Sequence, residues 1–131
     1  MKKILFVAAA LSLAAPSAFG QASGTTPIVY NPTTGAAPEI EAVTAAVRKE
    51  LERSRQLEPL YVRDDTKAQL TVPVDLLKDA TGANLTVKYE LRTGKRYTEV
   101  QEVTCPMAKP ANCARDIVIA AEKFVRKNKD R

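Results

Sequence analysis

The chain has 131 residues and a formal charge of +5, with two cysteines and neither histidine nor tryptophan. Without histidine it lacks the usual general base for a serine or cysteine nucleophile and the usual nitrogen ligand for zinc. The five glycines never take the spacing of a phosphate-binding loop. The small basic excess lacks the clustering typical of a nucleic-acid binder. We therefore predict a protein that is not an enzyme and that uses no cofactor, metal or nucleic acid.

The first 22 residues have the pattern of a cleaved export signal. Two lysines precede an apolar run from Ile4 to Ala15, and small residues permit cleavage after Gly20 or after Ala22. The run is shorter than the roughly 20 apolar residues that a membrane span needs, and no cysteine near either cleavage position offers a lipid-attachment site. We expect a periplasmic or secreted protein that is not an integral membrane protein.

Cys105 and Cys113 are the two cysteines. In the oxidising compartment that an export signal implies, an even number of cysteines at short spacing indicates a disulfide. A metal pair would need further ligands, and a redox pair more often has two residues between its cysteines. We predict a structural Cys105–Cys113 disulfide that stabilises the fold by roughly 2–3 kcal/mol.

The segment before the first helix is rich in Gly, Thr, Pro and Ala. Residues 23–38 are therefore typical of a flexible linker. Within them, residues 28–31 are either a short strand at a sheet edge or part of a flexible arm. After this segment, residues 39–56 carry apolar side chains at helical spacing, which predicts an amphipathic helix: Ile40, Val43, Val47 and Leu51.

Three later segments alternate apolar and polar residues, which predicts strands at 68–76, 85–92 and 96–104. Pro73 cannot donate a hydrogen bond to a neighbouring strand, so the first of these strands is at a sheet edge or bulged there. A three-residue turn containing Gly94 predicts a hairpin that sets Tyr89 opposite Tyr97.

The last strand changes phase between Val100 and Val103, which predicts a bulge. Apolar residues at helical spacing then predict a last helix: Ile117, Ala120, Ala121, Phe124 and Val125. The element order is (β)αβββα, and both helices must bury their apolar stripes on one sheet face. We predict a two-layer α+β fold with a three- to four-stranded, mainly antiparallel sheet. A single α/β domain spans 39–127, followed by a basic tail at 128–131.

The sheet face opposite the helices is the first candidate binding surface. It is either the wet side of a half-buried sheet or a recognition face for a polar partner. The edge predicted at Pro73 either prevents aggregation or docks an added strand. The candidate residues of this face are Thr71, Pro73, Lys88, Glu90, Arg92 and Arg96.

Two further candidate sites follow from charge. The basic residues at the C-terminal end either only solubilise the chain or contact an anionic ligand: Lys123, Arg126, Lys127 and Lys129. Paired carboxylates, Glu90 with Glu99 or Asp64 with Asp65, are the remaining way to an acid–base site. A domain of this size offers little depth for such a pocket.

The order of elements resembles the amino-terminal domain of TolB and the LpoB-like and CsgG-like α/β modules of periplasmic accessory proteins. The likeness rests on a short strand at 28–32, a helix that ends in Leu51–Leu60, a strand at 67–74 and a strand pair around 90–95. It implies a non-catalytic adaptor that docks envelope proteins. The cysteine pair, the lack of a following propeller and the lack of a lipid anchor depart from the pattern.

Two functional hypotheses therefore remain. The first is an exported accessory protein that docks an envelope protein through the polar sheet face or the edge at Pro73. The second is an electrostatic binder of an anionic envelope ligand, a cell-wall polymer or a lipid headgroup. Because screening weakens exposed charge–charge attraction, only the second predicts a steep dependence of binding on salt.

Overall fold

The computed structural model describes residues 25–35, 37–94 and 97–128. The predicted export signal at 1–22, Arg96 and Lys129 lie outside the described residues. Neither of the described helices is long and apolar enough to cross a membrane. In chain order the elements are β1 (Thr26–Pro32), α1 (Pro38–Arg53), β2 (Leu57–Leu60), β3 (Ala68–Lys78), β4 (Asn84–Thr93), β5 (Tyr97–Pro106) and α2 (Pro110–Lys127).

Five strands of the described chain form one mixed sheet in the order β2–β1–β3–β4–β5. β1 is parallel to both of its neighbours, whereas β3, β4 and β5 form an antiparallel meander. The α+β class and the two helices are confirmed, but the prediction of three to four mainly antiparallel strands is wrong. Residues 28–31, for which a strand at a sheet edge and a flexible arm were both open, belong to the strand β1, which is internal to the sheet. The four residues of β2 include a proline and are too few to show alternation.

Both helices pack on the same face of the sheet and enclose the apolar core. α1 buries Val43, Val47 and Leu51, and α2 buries a stripe that includes Ile117 and Phe124. Burying one such side chain contributes about 1.5–3 kcal/mol, so this layer provides most of the stability. The sheet contributes the inward side chains of its central strands: Ile28, Tyr30, Leu70, Val72, Leu85, Val87, Tyr89 and Leu91.

The C-terminal end of α1 is joined to α2 through Ser54. The Ser54 hydroxyl donates to a carboxylate oxygen of Glu122 at 2.7 Å and accepts from the backbone nitrogens of Gln56 and Leu57, each at 3.1 Å. These bonds satisfy backbone donors where the chain leaves the helix for β2. They also fix the two helices side by side.

Pro73 lies at the centre of the sheet. β3 has β1 on one side and β4 on the other, and Pro73 itself is buried. The pairing of β3 with β4 shifts register between Thr71 and Asp75, which places the proline in a bulge where its missing donor is tolerated. The predicted bulge is confirmed, and the predicted sheet edge at Pro73 is wrong.

The β4–β5 hairpin has a different register from the predicted one. Thr93 pairs with Tyr97 and Tyr89 with Gln101, so the predicted Tyr89–Tyr97 pair is wrong; Tyr97 stacks instead on Phe124 with ring centroids 6.1 Å apart. The pairing continues over ten positions without a shift, so the predicted bulge in β5 is also wrong. The strand keeps its phase because Val100 points away from the core.

The predicted disulfide is confirmed. Cys105 and Cys113 are bonded with a Cα–Cα separation of 5.4 Å, and both residues are buried. The bond joins the end of β5 to the first turns of α2. At the other end of this pair of elements, Tyr97 stacks on Phe124, so α2 runs back along β5 in the antiparallel direction.

Candidate functional site

The predicted binding face is the sheet face that the helices leave uncovered. Its predicted residues are only partly brought together. Pro73 is buried at the bulge, and Arg96 lies outside the described residues. The alternation of the paired strands places four of the predicted residues side by side on this face: Thr71, Lys88, Glu90 and Arg92.

One half of this face is covered by the loop that joins β2 to β3. Gln69 is only 5% exposed, and its side-chain nitrogen donates to the Asp64 carbonyl and to an Asp65 carboxylate oxygen, both at 3.4 Å. Its side-chain oxygen accepts from Asn31 Nδ2 and Arg92 Nη2, both at 3.0 Å. We call these residues the covered half: Asn31, Asp64, Asp65, Gln69 and Arg92.

Within the covered half, Arg92 stabilises the fold through its hydrogen bond to Gln69. The guanidinium donates to Gln69, and its Nε is buried without a hydrogen-bond partner in the described part of the chain. Val29, the register partner of Gln69, is only 1% exposed. A buried donor without a partner lowers the free energy of unfolding. The hydrogen bond from Arg92 Nη2 to Gln69 offsets much of that loss. Arg92 is therefore a structural residue more than a surface cation.

The other half of the face is open. Leu77 and Val100 are 55% and 54% exposed, and the cross-strand row between them holds the ion pair of Lys88 Nζ with Glu102 at 3.8 Å. We call this surface the outer patch, formed by outward side chains of β3, β4 and β5: Asp75, Leu77, Thr86, Lys88, Glu90, Val100, Glu102 and Thr104. It combines exposed apolar side chains with a charge balance that is slightly acidic.

The basic residues of α2 point to two different sides. Arg126 Nη1 donates to Gln56 Oε1 at 2.7 Å, and Lys127 Nζ donates to a carboxylate oxygen of Glu99 at 3.1 Å. Lys123 lines a groove between α2 and β5, and Lys129 lies outside the described residues. Lys123, Arg126 and Lys127 are on the helix side of the sheet, away from Lys88 and Arg92.

Glu99 is the centre of a second polar group, on the helix side of β5. Its carboxylate accepts from Tyr97 Oη at 3.0 Å, from Gln101 Nε2 at 2.7 Å and from Lys127. The Lys127 hydrogen bond is the main cause that lowers the pKa of Glu99. Burial raises the pKa of Tyr89 to about 12, so its hydroxyl stays protonated and donates to Gln101 Oε1 at 3.1 Å.

The structure does not bring Glu90 and Glu99 together. Glu90 pairs with Val100 and Glu99 with the adjacent Leu91, so the two carboxylates point to opposite faces of the sheet. Asp64 accepts from Thr66 at 2.6 Å, which lowers its pKa. In the part of the chain that the structure describes, no group of three His, Cys, Asp or Glu residues is arranged to hold a metal ion.

Two residues of the outer patch were missed at the level of sequence. Leu77 and Val100 were not candidates because an apolar residue on a strand is ordinarily assigned to the core. A signal for Val100 was present: Thr98, Glu102 and Thr104 are outward residues of β5, and strict alternation puts Val100 on their side.

Comparisons with known proteins bear on the fold. No protein-family model matches the chain, and no curated protein matches it in sequence. The chain is similar to the crystal structure of rare lipoprotein B from Shewanella oneidensis, with a TM-score of 0.57, 8% identity, and coverage of 79% of this chain and 98% of that chain. The predicted resemblance to a small α/β module is thus confirmed at the level of the fold.

Proposed function

We propose that this chain is a non-catalytic accessory protein of the bacterial cell envelope that docks an envelope protein on the outer patch. The observation that carries the proposal is the exposure of Leu77 and Val100 on either side of the Lys88–Glu102 ion pair. Apolar residues surrounded by polar ones on a rigid sheet are typical of a protein–protein contact.

The charges of the outer patch favour a protein over an anionic polymer. Lys88 is its one cation, and it is paired with Glu102, while Glu90 adds a further negative charge. The α2 cations that the alternative requires face another direction, and Lys127 and Arg126 already have partners. The face therefore offers no continuous basic surface in the described residues.

The cellular location in this proposal has three supports. The first 22 residues have the pattern of an export signal. The buried disulfide is typical of an oxidising compartment. The fold is similar to that of rare lipoprotein B, a bacterial lipoprotein by its name.

Site-specific photo-cross-linking in intact bacteria tests the proposal. A photoreactive residue in place of Val100 should give one discrete adduct with an envelope protein, identified by mass spectrometry. The same residue in place of Arg115, which is exposed on the helix side, serves as the matched control and should give no such adduct.

The purified proteins then separate the two hypotheses. Binding between the chain and the cross-linked protein should weaken less than about threefold between 0.05 and 0.5 M salt, because an apolar centre is little affected by screening. Equal adducts at Val100 and Arg115, or recovery of glycan or lipid that disappears at the higher salt, would overturn the proposal.

A further inference from the structure

β5 is a long strand with one edge free of any strand. It pairs with β4 at ten positions, and it is the last strand of the sheet in the described residues. The opposite end of the sheet is β2, which has only four residues. Natural sheets protect such edges with lysines, prolines or bulges. β5 has no lysine, its proline is its last residue, and its register is unbroken.

A groove of about 490 Å³ runs beside this edge, between β5 and α2. Because α2 is antiparallel to β5, Asp116 lies toward the disulfide end of the groove and Lys123 and Lys127 lie toward the Tyr97 end. Ile119 lies between them and is 42% exposed. In the described residues no ion pair engages Asp116 or Lys123.

We propose that an extended segment of a partner protein binds in this groove as a sixth strand, antiparallel to β5. Its inward side chains follow the order basic, apolar, acidic, so that they face Asp116, Ile119 and Lys123 in turn. Seven residues of a helix rise about 10 Å, and residues i and i+4 of a strand are about 13 Å apart. The lysine and glutamate side chains of the bound segment are long enough to make up the difference between these two distances.

A partner segment fits the groove better than a second copy of this chain. β5 has no basic residue of its own, so β5 of a second copy cannot supply the cation that Asp116 requires. Antiparallel pairing is slightly more stable than parallel pairing, which sets the direction of the segment. This edge is distinct from the outer patch, and the inference does not rest on the function proposed above.

A synthetic peptide tests the inference on protein expressed from the full chain. The probe is a capped nine-residue peptide, Thr-Thr-Lys-Thr-Ile-Thr-Glu-Thr-Thr, and binding is measured by fluorescence anisotropy and by NMR shifts of the β5 amides. Asp116→Lys or Lys123→Glu should each weaken binding about fivefold, since each turns an attraction into a repulsion. The matched control is Arg126→Glu, which makes the same charge change outside the groove and should leave the affinity unchanged.

The backbone of the probe separates strand addition from simple charge attraction. Alternate amides of a strand point to opposite edges, so N-methylation of one alternate set should abolish binding while the other set tolerates it. Four results would overturn the inference: no binding at about 1 mM peptide, equal effects of the two methylated sets, equal effects of Lys123→Glu and Arg126→Glu, or a concentration-dependent dimer of the chain that Lys123→Glu dissociates.

Discussion

The two halves of the open sheet face share strands β3 and β4, yet their side chains have opposite environments. In the covered half a polar side chain, Gln69, is 5% exposed and holds a loop and an arginine. In the outer patch two apolar side chains, Leu77 and Val100, are more than half exposed. Residue polarity alone therefore does not show which side chains of this face are covered; the contacts of each residue do. A polar side chain, Gln69, is buried here, and the apolar Leu77 and Val100 are exposed.

The largest expected effect on stability comes from removing the side chain of Gln69, the centre of the covered half. Gln69→Ala should lower the free energy of unfolding by about 2–3 kcal/mol, because Arg92 loses its acceptor and stays partly buried. Thr98→Ala, in the same cross-strand row but exposed, should change it by less than about 0.5 kcal/mol. Urea denaturation measures both. Equal values for the two variants would show that the loop contributes no stability through Gln69.

A double-mutant cycle sharpens the result. If the cost of Gln69→Ala comes from an arginine without a partner, Arg92→Met should recover about 1–2 kcal/mol of it in the double variant, since the unsatisfied charge is then removed. The coupling energy from four urea curves measures this. Strictly additive losses would assign the stability to the bonds from Gln69 to Asp64 and Asp65 instead.

Predictions from the sequence succeeded where an element leaves a local pattern of residues, and they failed where it does not. The stripes of α1 and α2 were predictable because burial against a sheet imposes a helical period on Val43, Val47 and Leu51. The disulfide was predictable from spacing and compartment. The internal position of β1 was not, because the parallel pairing of β1 with β2 and β3 joins residues distant in sequence and leaves no local pattern.

The candidate site was predictable only as a face. Alternation placed Lys88, Glu90 and Arg92 on one side of the sheet, as β4 confirms. Which of them stays exposed depends on where the loop between β2 and β3 folds back, and that follows from tertiary contacts of Gln69. The predicted edge at Pro73 was wrong for a related reason: a bulge satisfies the same constraint in a central strand.

A third test addresses the outer patch. Val100→Ser should leave the free energy of unfolding within about 0.5 kcal/mol of the original protein, because the side chain is already more than half exposed. The same variant should lose the adduct expected with the photoreactive group moved to the neighbouring Glu102. A stability loss above about 1 kcal/mol would place Val100 in the fold, and the outer patch would then not be a surface reserved for a partner.

The smallest expected effects on stability are those of replacing two glutamates of β5 that face opposite sides of the sheet. Glu99 accepts from three side chains, whereas Glu102 has one ion pair at 3.8 Å. Glu99→Gln should lower the free energy of unfolding by less than about 1 kcal/mol, because ion pairs with exposed lysines contribute little. Glu102→Gln should lower it by still less, because the Glu102 side chain is 57% exposed and that of Glu99 only 19%.

The dependence on pH distinguishes these two small effects. The Lys127 hydrogen bond lowers the pKa of Glu99 in the folded protein, so its contribution is present above the unfolded-state value of about 4.3. It is lost as the pH falls through the lower folded-state pKa. The difference between the original protein and Glu99→Gln should therefore be largest near pH 6 and should shrink as the pH falls below about 4.3 in urea titrations. A difference that is constant with pH would mean that the amide perturbs packing against Tyr97, and the hydrogen bonds to the carboxylate would then contribute nothing measurable to the stability of the helix side.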